Sequence, residues 1–160
     1  AGDRRLSPYV TCGSPEPAAT PALLDALADG GADVIEFGVP FSDPVADGPT
    51  IQRSSQIALE HGVTLAQTLD MLAEFRARRD TAVIVFTYLN PLLRYGLDRF
   101  LADASAAGAH GVLVTDLPVG GDERIEGAIE SSPLRLIRLI APTTPAARAQ
   151  EIAARARGFL

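Results

Sequence analysis

The sequence predicts an α/β protein, namely a (β/α)₈ TIM barrel of which residues 1–160 form a single partial domain. Two observations carry this prediction. Short runs rich in Val, Ile and Leu alternate with helix-periodic segments, and one repeat takes about 32 residues, as in barrels of this class. The apolar runs also lack a regular polar alternation, which is typical of parallel strands buried on both faces.

Five apolar runs are predicted to form strands, each bounded by glycine, proline or aspartate. They are Leu6–Thr11, Asp33–Gly38, Ala82–Tyr88, Gly111–Asp116 and Leu134–Ile140. A short segment at the end, Gly158–Leu160 (GFL), is typical of the start of a sixth strand.

Six segments with a helical hydrophobic period lie between and after these strands. In the third of them Leu65, Leu69, Leu72 and Phe75 fall on one helix face, so this face is expected to pack against the sheet. The six predicted helices are Thr20–Asp29, Thr50–His61, Thr64–Arg79, Leu97–Ala107, Gly121–Ser131 and Thr144–Arg157.

A complete five-stranded doubly wound sheet is the main alternative, because 160 residues is an ordinary length for that fold. Glu36 helps to choose between them, since it lies between Ile35 and Phe37 and therefore points to the opposite face of its strand. Helices cover both faces of a doubly wound sheet. In a barrel, an inward residue near the end of a strand faces the active-site mouth. The glutamate therefore favours the barrel.

Charge and composition exclude several classes of function. The net charge is -6 and the basic residues form only short clusters such as RARR at 76–79, which argues against nucleic acid or an anionic membrane as partner. All 14 basic residues are arginine, so a Schiff-base lysine, a lysine general base and a Walker-type phosphate loop are excluded within this sequence.

The sequence gives no signal for export. The first ten residues lack the apolar stretch of a secretory signal, and the longest apolar runs are too short to span a bilayer. Cys12 is the only cysteine, which excludes an internal disulfide. A cytoplasmic location is therefore expected.

Three carboxylates lie at or just after the end of the second strand: Glu36, Asp43 and Asp47. Barrel enzymes take their catalytic groups from this end of the strands. A glutamate between two large apolar residues would be partly desolvated, which favours the protonated acid that proton transfer needs. Asp43 and Asp47 have a second interpretation as turn-forming residues, because Asp-Pro and Asp-Gly are ordinary turn pairs. Both interpretations stay open on the residue pattern alone.

Metal binding is not expected. His61 and His110 each lie beside a glycine at a helix end, where an interaction with the helix dipole or with solvent is the simpler interpretation. Two isolated histidines and one cysteine do not make a metal-ligand set.

The aromatic residues of the first and third strands admit two interpretations. Tyr9, Phe86 and Tyr88 can belong to the core or can line a flat apolar pocket near the mouth of the barrel. Asp116 ends the fourth strand, and its simplest role is to fix the following loop.

Several segments in sequence order resemble the tryptophan synthase alpha subunit family. The resemblance covers essentially the whole chain, and its second-strand motif is highly specific. The matching segments are PYVTCG (8–13), GADVIEFGVPFSDPVADGPTIQRSS (31–55), TYLNP (87–91), GVLVTDLP (111–118), APTTP (141–145) and GFL (158–160).

The resemblance implies a lyase that cleaves indole-3-glycerol phosphate to indole and glyceraldehyde 3-phosphate in tryptophan biosynthesis. It implies that Glu36 is the catalytic glutamate and that Asp47 is the second catalytic acid, which accepts the indole N–H. No cofactor is expected in this chain. Pyridoxal phosphate is expected only in a beta-subunit partner, within an alpha2–beta2 complex.

The resemblance also assigns residues around the two acids. Tyr9, Phe86 and Thr115 match positions that line the indole pocket, and Asp43 matches the loop that contacts the beta subunit. The family holds the substrate phosphate with loops after strands six to eight, which have no counterpart among these 160 residues. An alternative is therefore a non-catalytic alpha-like partner that docks on a beta subunit and modulates it.

Overall fold

The computed structural model describes residues 5–160 as one parallel five-stranded sheet with helices between the strands. The strands are β1 (Tyr9–Thr11), β2 (Val34–Gly38), β3 (Ala82–Thr87), β4 (Gly111–Val114) and β5 (Arg135–Ile137). The helices are α1 (Thr20–Asp29), α2 (Pro49–Glu60), α3 (Leu65–Arg76), α4 (Leu89–Tyr95), α5 (Leu97–Ala106), α6 (Glu123–Glu130) and α7 (Ala146–Arg155), with a 3₁₀ helix at Pro17–Ala19.

The strand order identifies the architecture. The strands lie in sequence order, β1-β2-β3-β4-β5, and every neighbouring pair is parallel. A doubly wound sheet reverses its strand order at a switch point, whereas consecutive order is the topology of a (β/α)₈ barrel. The predicted barrel topology is confirmed, and the doubly wound alternative is wrong.

The two faces of the sheet differ in what covers them. Ile35 and Phe37 of β2, together with alternate residues of β3, β4 and β5, belong to the large core that packs against the helices. The opposite face carries a smaller cluster of Ile84, Leu113 and Ile137. This second face is the barrel interior, where side chains from neighbouring strands form layers.

Strand register places Glu36 on the interior face. Tyr9 of β1 pairs with Glu36, and Glu36 pairs with Ile84 of β3, so these three residues form one layer. Val34 and Gly38 lie on the same face as Glu36, one layer below and one layer above. The alternation in β2 predicted this side of the strand correctly.

Local sequence explains where the helices begin. Thr64 and Gln67 form a capping box at the start of α3, in which each side chain bonds to the other residue's backbone N–H. Asp122 caps α6 by accepting from the backbone N–H groups of Arg124 and Ile125. Within residues 5–160, no helix combines the length and the hydrophobicity that a bilayer crossing requires.

Helix α4 was not predicted from the sequence. Prolines were expected to mark the ends of elements, but Pro91 lies in the first turn of α4, where a missing N–H leaves no intrahelical bond unmade. Asp116, which follows β4, accepts from the backbone N–H of Leu89 at 2.7 Å. This N–H is one of those in the first turn of a helix that have no partner within the helix. The expected role of Asp116 in fixing a loop is consistent with this contact.

The expected start of a sixth strand is not formed. Residues 156–160 follow α7 without strand structure, although Gly158 lies beside Ile137 of β5. A strand is defined by backbone hydrogen bonds to a neighbour, and apolar residues next to a strand do not supply them.

A buried ion pair joins β5 to α6. The Arg138 side chain is 3% exposed, and its Nη2 donates to Glu126, with Glu130 at 3.5 Å. Glu126 also accepts from the backbone N–H of Gly120 at 2.8 Å, so it connects the loop after β4 to the sheet. Removal of Arg138 would leave the buried charge of Glu126 without its ion-pair partner, so the pair helps to hold α6 against the sheet.

Candidate functional site

Glu36 is half-buried on the interior face and has a defined partner. The hydroxyl of Ser7, which precedes β1, donates to Glu36 Oε1 at 2.8 Å. The expectation that this side chain faces the mouth is only partly met, because Ser7 lies toward the N-terminal ends of the strands. The contact joins residues 29 positions apart and leaves no local trace in the sequence.

Tyr9 and Phe86 lie together across the interior face. Their rings form an edge-to-face pair with centroids 5.1 Å apart and an interplanar angle of 78°. The Tyr9 ring extends over Gly38 of β2, where the Cβ of any larger residue would lie only 2.6 Å from the tyrosine Cζ and closer still to its oxygen. The glycine therefore makes room for the ring, which points toward the C-terminal end of the sheet.

The Tyr9 hydroxyl lies close enough to both predicted acids for their charges to act on it. Burial is the main cause that raises the pKa of Tyr9 to about 12, and the negative charges of Asp47 and Glu36 raise it further. A hydrogen bond from the Thr11 hydroxyl, at 3.2 Å, lowers the pKa of Tyr9 and offsets part of this rise. Tyr9 is therefore a neutral phenol near both carboxylates.

Asp47 is held by Tyr88, which lies directly after β3. The Tyr88 hydroxyl donates to Asp47 Oδ2 at 3.0 Å and accepts from the backbone N–H of Ala46 at 3.0 Å. The Tyr88 ring lies against Phe41, with centroids 5.1 Å apart. This tyrosine connects the β2–α2 loop to the sheet and fixes the direction of the Asp47 carboxylate.

Burial also changes the acidity of Asp47. Desolvation raises the pKa of Asp47 above its ordinary value, and the hydrogen bond from Tyr88 offsets part of that effect. A carboxyl group that is desolvated and held by a single donor is suited to accept a hydrogen bond from a cationic or N–H-bearing ligand.

Thr115 belongs to the same group of residues. Its hydroxyl donates to the backbone carbonyl of Thr87 at 3.3 Å, and its side chain also interacts with the Tyr88 hydroxyl. From the sequence, Tyr88 was expected in the core or as a wall of an apolar pocket, and its bond to Asp47 was not predicted. Its position two residues after Phe86, on the same face, was the available signal for a role at the site.

Asp43 lies apart from these residues. Its side chain is exposed and accepts from the Ser42 hydroxyl, and the neighbouring Val45 is 85% exposed. The structure therefore brings Tyr9 together with Phe86, and Asp47 together with Tyr88 and Thr115, while Glu36 is bonded to Ser7 on the interior face. Asp43 stands on the outer part of the loop.

The histidines are not arranged as ligands. His110 Nδ1 accepts from the backbone N–H of Val83 at 3.3 Å, and burial, followed by the charge of Arg76, lowers the pKa of His110. Within the described residues 5–160, no three His, Cys, Asp or Glu side chains are grouped in a way that could hold a metal ion.

We expect Asp47→Asn to change the pH dependence of stability. The folded protein raises the pKa of Asp47, so this carboxyl contributes stability below its ordinary pKa and loses that contribution as pH rises through the folded value. Asparagine does not titrate. The variant should therefore gain stability relative to wild type as pH rises above about 3.9, the ordinary pKa of aspartate, and the gain should be small because the site is partly solvated.

Urea unfolding at a series of pH values measures this difference. Asp43→Asn is the matched control, since it removes an exposed carboxylate from the same loop. A stability difference for Asp47→Asn that falls with rising pH would contradict the assignment of burial as the main cause.

Comparisons with known proteins agree on one family. The family model described as "Tryptophan synthase alpha chain" matches residues 2–160. The chain is 48% identical to the tryptophan synthase alpha chain of Chromobacterium violaceum, over 100% of this chain and 62% of that protein. It is 46% identical to the alpha chain of Geobacter sulfurreducens, over 98% of this chain and 60% of that protein.

Solved structures give the same result. The subunit alpha structure from Legionella pneumophila str. Paris superposes with a TM-score of 0.91 at 40% identity, covering 98% of this chain and 62% of that one. A tryptophan synthase complex from Pyrococcus furiosus gives a TM-score of 0.92 at 41% identity, covering 98% and 65%. The chain therefore spans about three fifths of the length of the curated relatives it matches.

Proposed function

The chain belongs to the tryptophan synthase alpha chain family, and from this premise we propose that it carries the acid–base part of a lyase active site. The proposed reaction is the cleavage of indole-3-glycerol phosphate to indole and glyceraldehyde 3-phosphate in the cytoplasm. The observation that supports it best is that two carboxylates, Glu36 and Asp47, both lie near Tyr9, which forms an aromatic pair with Phe86 inside a partial barrel domain.

The reaction needs two proton transfers at neighbouring atoms. Protonation of indole C3 makes the ring an electron acceptor, and loss of the proton from the C3′ hydroxyl then forms a carbonyl. The C3–C3′ bond breaks, and its electron pair returns to the ring to give neutral indole. No imine is formed, so the absence of lysine is compatible with the chemistry.

Glu36 and Asp47 are the proposed catalytic residues. Glu36 would deliver the proton to C3 and take up the proton of the hydroxyl. Asp47 would accept the hydrogen bond of the indole N–H and stabilise the positive charge that protonation places on the ring. The direction of its carboxylate, fixed by Tyr88, suits a planar N–H donor that lies over the sheet.

Three further residues are proposed to bind the indole ring. Tyr9 and Phe86 offer an edge-to-face pair that a flat apolar ring can extend, and Thr115 lies beside the Tyr88 hydroxyl at the same end of the sheet. We assign substrate phosphate binding to none of the described residues.

We also propose a protein partner. Asp43 and the exposed Val45 occupy the outer part of the β2–α2 loop, where a beta subunit can dock in an alpha2–beta2 complex. The structure from Pyrococcus furiosus is a tryptophan synthase complex. No cofactor is proposed for this chain, and pyridoxal phosphate is proposed only for the partner subunit.

An indole-release assay tests the proposed function. The chain, extended to the length of its relatives, is given indole-3-glycerol phosphate, and both indole and glyceraldehyde 3-phosphate are measured. Equal amounts of the two products are expected. Stimulation of a beta subunit with no release of either product would instead support the non-catalytic partner.

Tyr88→Phe is expected to lower kcat about tenfold and to leave KM nearly unchanged. The variant keeps the ring against Phe41 but removes the hydroxyl that donates to Asp47, so the carboxylate loses its orientation. Steady-state kinetics of indole release measure the effect. Tyr95→Phe is the matched control, because its hydroxyl donates to Asp103 at 2.6 Å on the outer helices. Equal kcat values for the two variants would exclude a role for Tyr88 in positioning Asp47.

A further inference from the structure

Three hydroxyl groups form a chain from α2 to the aromatic pair on the interior face. Thr11 of β1 is 3% exposed, and its Oγ1 donates to the Tyr9 hydroxyl at 3.2 Å. The same Oγ1 lies 2.6 Å from Ser54 Oγ of α2, a contact in which either atom can donate. A helix residue is therefore connected to the hydroxyl of Tyr9 through one buried threonine.

The direction of the hydrogen bonds in this chain follows from the number of protons. A hydroxyl group has one proton to donate. Thr11 donates its proton to Tyr9, so Ser54 is the donor in the contact of 2.6 Å, and the backbone carbonyl of Ile51 at 2.9 Å is the second acceptor for the serine. Tyr9 is the acceptor at the end of the chain. Its own proton is therefore directed away from Thr11 and can be donated to another group.

The Tyr9 hydroxyl is close to the place where the proposed reaction occurs. The negative charges of Asp47 and Glu36 both act on it, and its ring extends over Gly38 toward the C-terminal end of the sheet. In the proposed reaction Asp47 accepts the indole N–H, while Glu36 acts at C3 and at the C3′ hydroxyl. The indole ring has no other polar atom. The polar groups of the substrate that remain for Tyr9 are therefore the hydroxyls of the side chain next to the ring.

We propose that the Tyr9 hydroxyl donates a hydrogen bond to a hydroxyl oxygen in the side chain of indole-3-glycerol phosphate, and that Thr11 and Ser54 are positioning residues for this donor. The inference rests on the proposed lyase function and adds a polar contact to a residue otherwise assigned to the indole ring. A phenyl ring alone would make the same edge-to-face contact with Phe86. The hydroxyl of Tyr9 therefore serves to select ligands that carry a hydroxyl beside the ring.

Tyr9→Phe separates the role of the hydroxyl from that of the ring. Dissociation constants are measured by calorimetry for the substrate and for indole-3-propyl phosphate, which lacks the side-chain hydroxyls. The chain is extended to the length of its relatives and carries Glu36→Gln, so that cleavage is slow. Tyr9→Phe should weaken binding of the substrate about two- to tenfold, as expected for one lost hydrogen bond, and should leave binding of the analogue unchanged. Tyr95→Phe, which removes a hydroxyl from the outer helices, should change neither.

A spectroscopic measurement tests the positioning residues separately. The ¹³Cζ resonance of Tyr9, assigned by its loss in Tyr9→Phe, should move in Thr11→Val, which removes the donor. It should move less in Ser54→Ala, which removes only the group that polarises this donor. In a Thr11→Val background, Ser54→Ala should have no further effect, because the serine acts through the threonine. Ser132→Ala is the matched control, since the Ser132 hydroxyl also donates to a carbonyl three residues earlier, at the end of α6.

The two measurements have distinct failures. Equal weakening of both ligands by Tyr9→Phe, or no weakening of either, would overturn the contact between Tyr9 and the substrate hydroxyl. A Tyr9 resonance that responds to Ser54→Ala equally with Thr11 and with Val at this position would overturn the positioning role of Ser54. If the extended chain with its natural Glu36 and Tyr9 neither binds nor cleaves the substrate, the proposed function itself fails, before any variant is compared.

Discussion

Glu36→Gln should reduce indole release about 10²- to 10⁴-fold and leave the fold intact, because the amide cannot deliver or take up a proton. Glutamine has nearly the same shape and can still accept the hydrogen bond of the Ser7 hydroxyl. The loss should therefore appear in kcat more than in KM, as expected when an interaction of the transition state is removed. Steady-state kinetics, with circular dichroism to check the fold, measure both.

Glu60→Gln is the matched control for this experiment. Glu60 ends α2, and its side chain accepts from Gln56 on the outside of the helix, away from the interior face. This variant should retain wild-type activity. Activity of Glu36→Gln within a factor of about three of wild type would remove Glu36 from the mechanism, since general acid–base catalysis contributes far more than that.

The barrel topology and the face of each residue could be predicted from the sequence because they follow from local periodicity. The alternation of Ile35, Glu36 and Phe37 was sufficient to place the glutamate on the interior face, and register confirms it. The alternation of apolar runs and helical segments fits a doubly wound sheet as well, so it was the position of Glu36 that favoured a barrel and with it the consecutive strand order. These properties depend on neighbours in sequence, which a pattern can describe.

The direction of a side chain within its face could not be predicted in the same way. Ser7 bonds to a residue 29 positions later, and Tyr88 bonds to a residue 41 positions earlier. Neither contact has a periodic signature, because each depends on how two strands are aligned in register. The buried ion pair of Arg138 and Glu126 was not predicted for the same reason, because the pattern of a strand does not show which helix residue pairs with a charged side chain.

The short connections between elements were also missed. Helix α4 begins directly after β3, and Pro91 within it looked like the end of an element. Proline is tolerated in a first helical turn, so the same residue is compatible with either interpretation. Only the contact from Asp116 to the backbone of Leu89 identifies the helix start.

Gly38→Ala should destabilise the protein by about 1–3 kcal/mol and displace Tyr9 from the site. A Cβ at this position would lie 2.6 Å from the Tyr9 Cζ and 2.9 Å from its Cε2, and would collide with the tyrosine oxygen. The ring cannot move freely, because it packs against Phe86 and its hydroxyl bonds to Thr11. The variant should therefore lose both stability in urea unfolding and most of its indole release.

A second substitution shows whether the collision with Tyr9 is the cause. In a Tyr9→Ala background the added methyl group meets no ring, so Gly38→Ala should then cost little, and the two changes should be strongly non-additive. Gly127→Ala is the control for glycine replacement, because this glycine lies inside α6 with no atom within 4 Å of a Cβ and should gain up to about 1 kcal/mol in helix propensity. Additive effects of Gly38→Ala and Tyr9→Ala would mean that the tyrosine ring is not the reason why position 38 requires glycine.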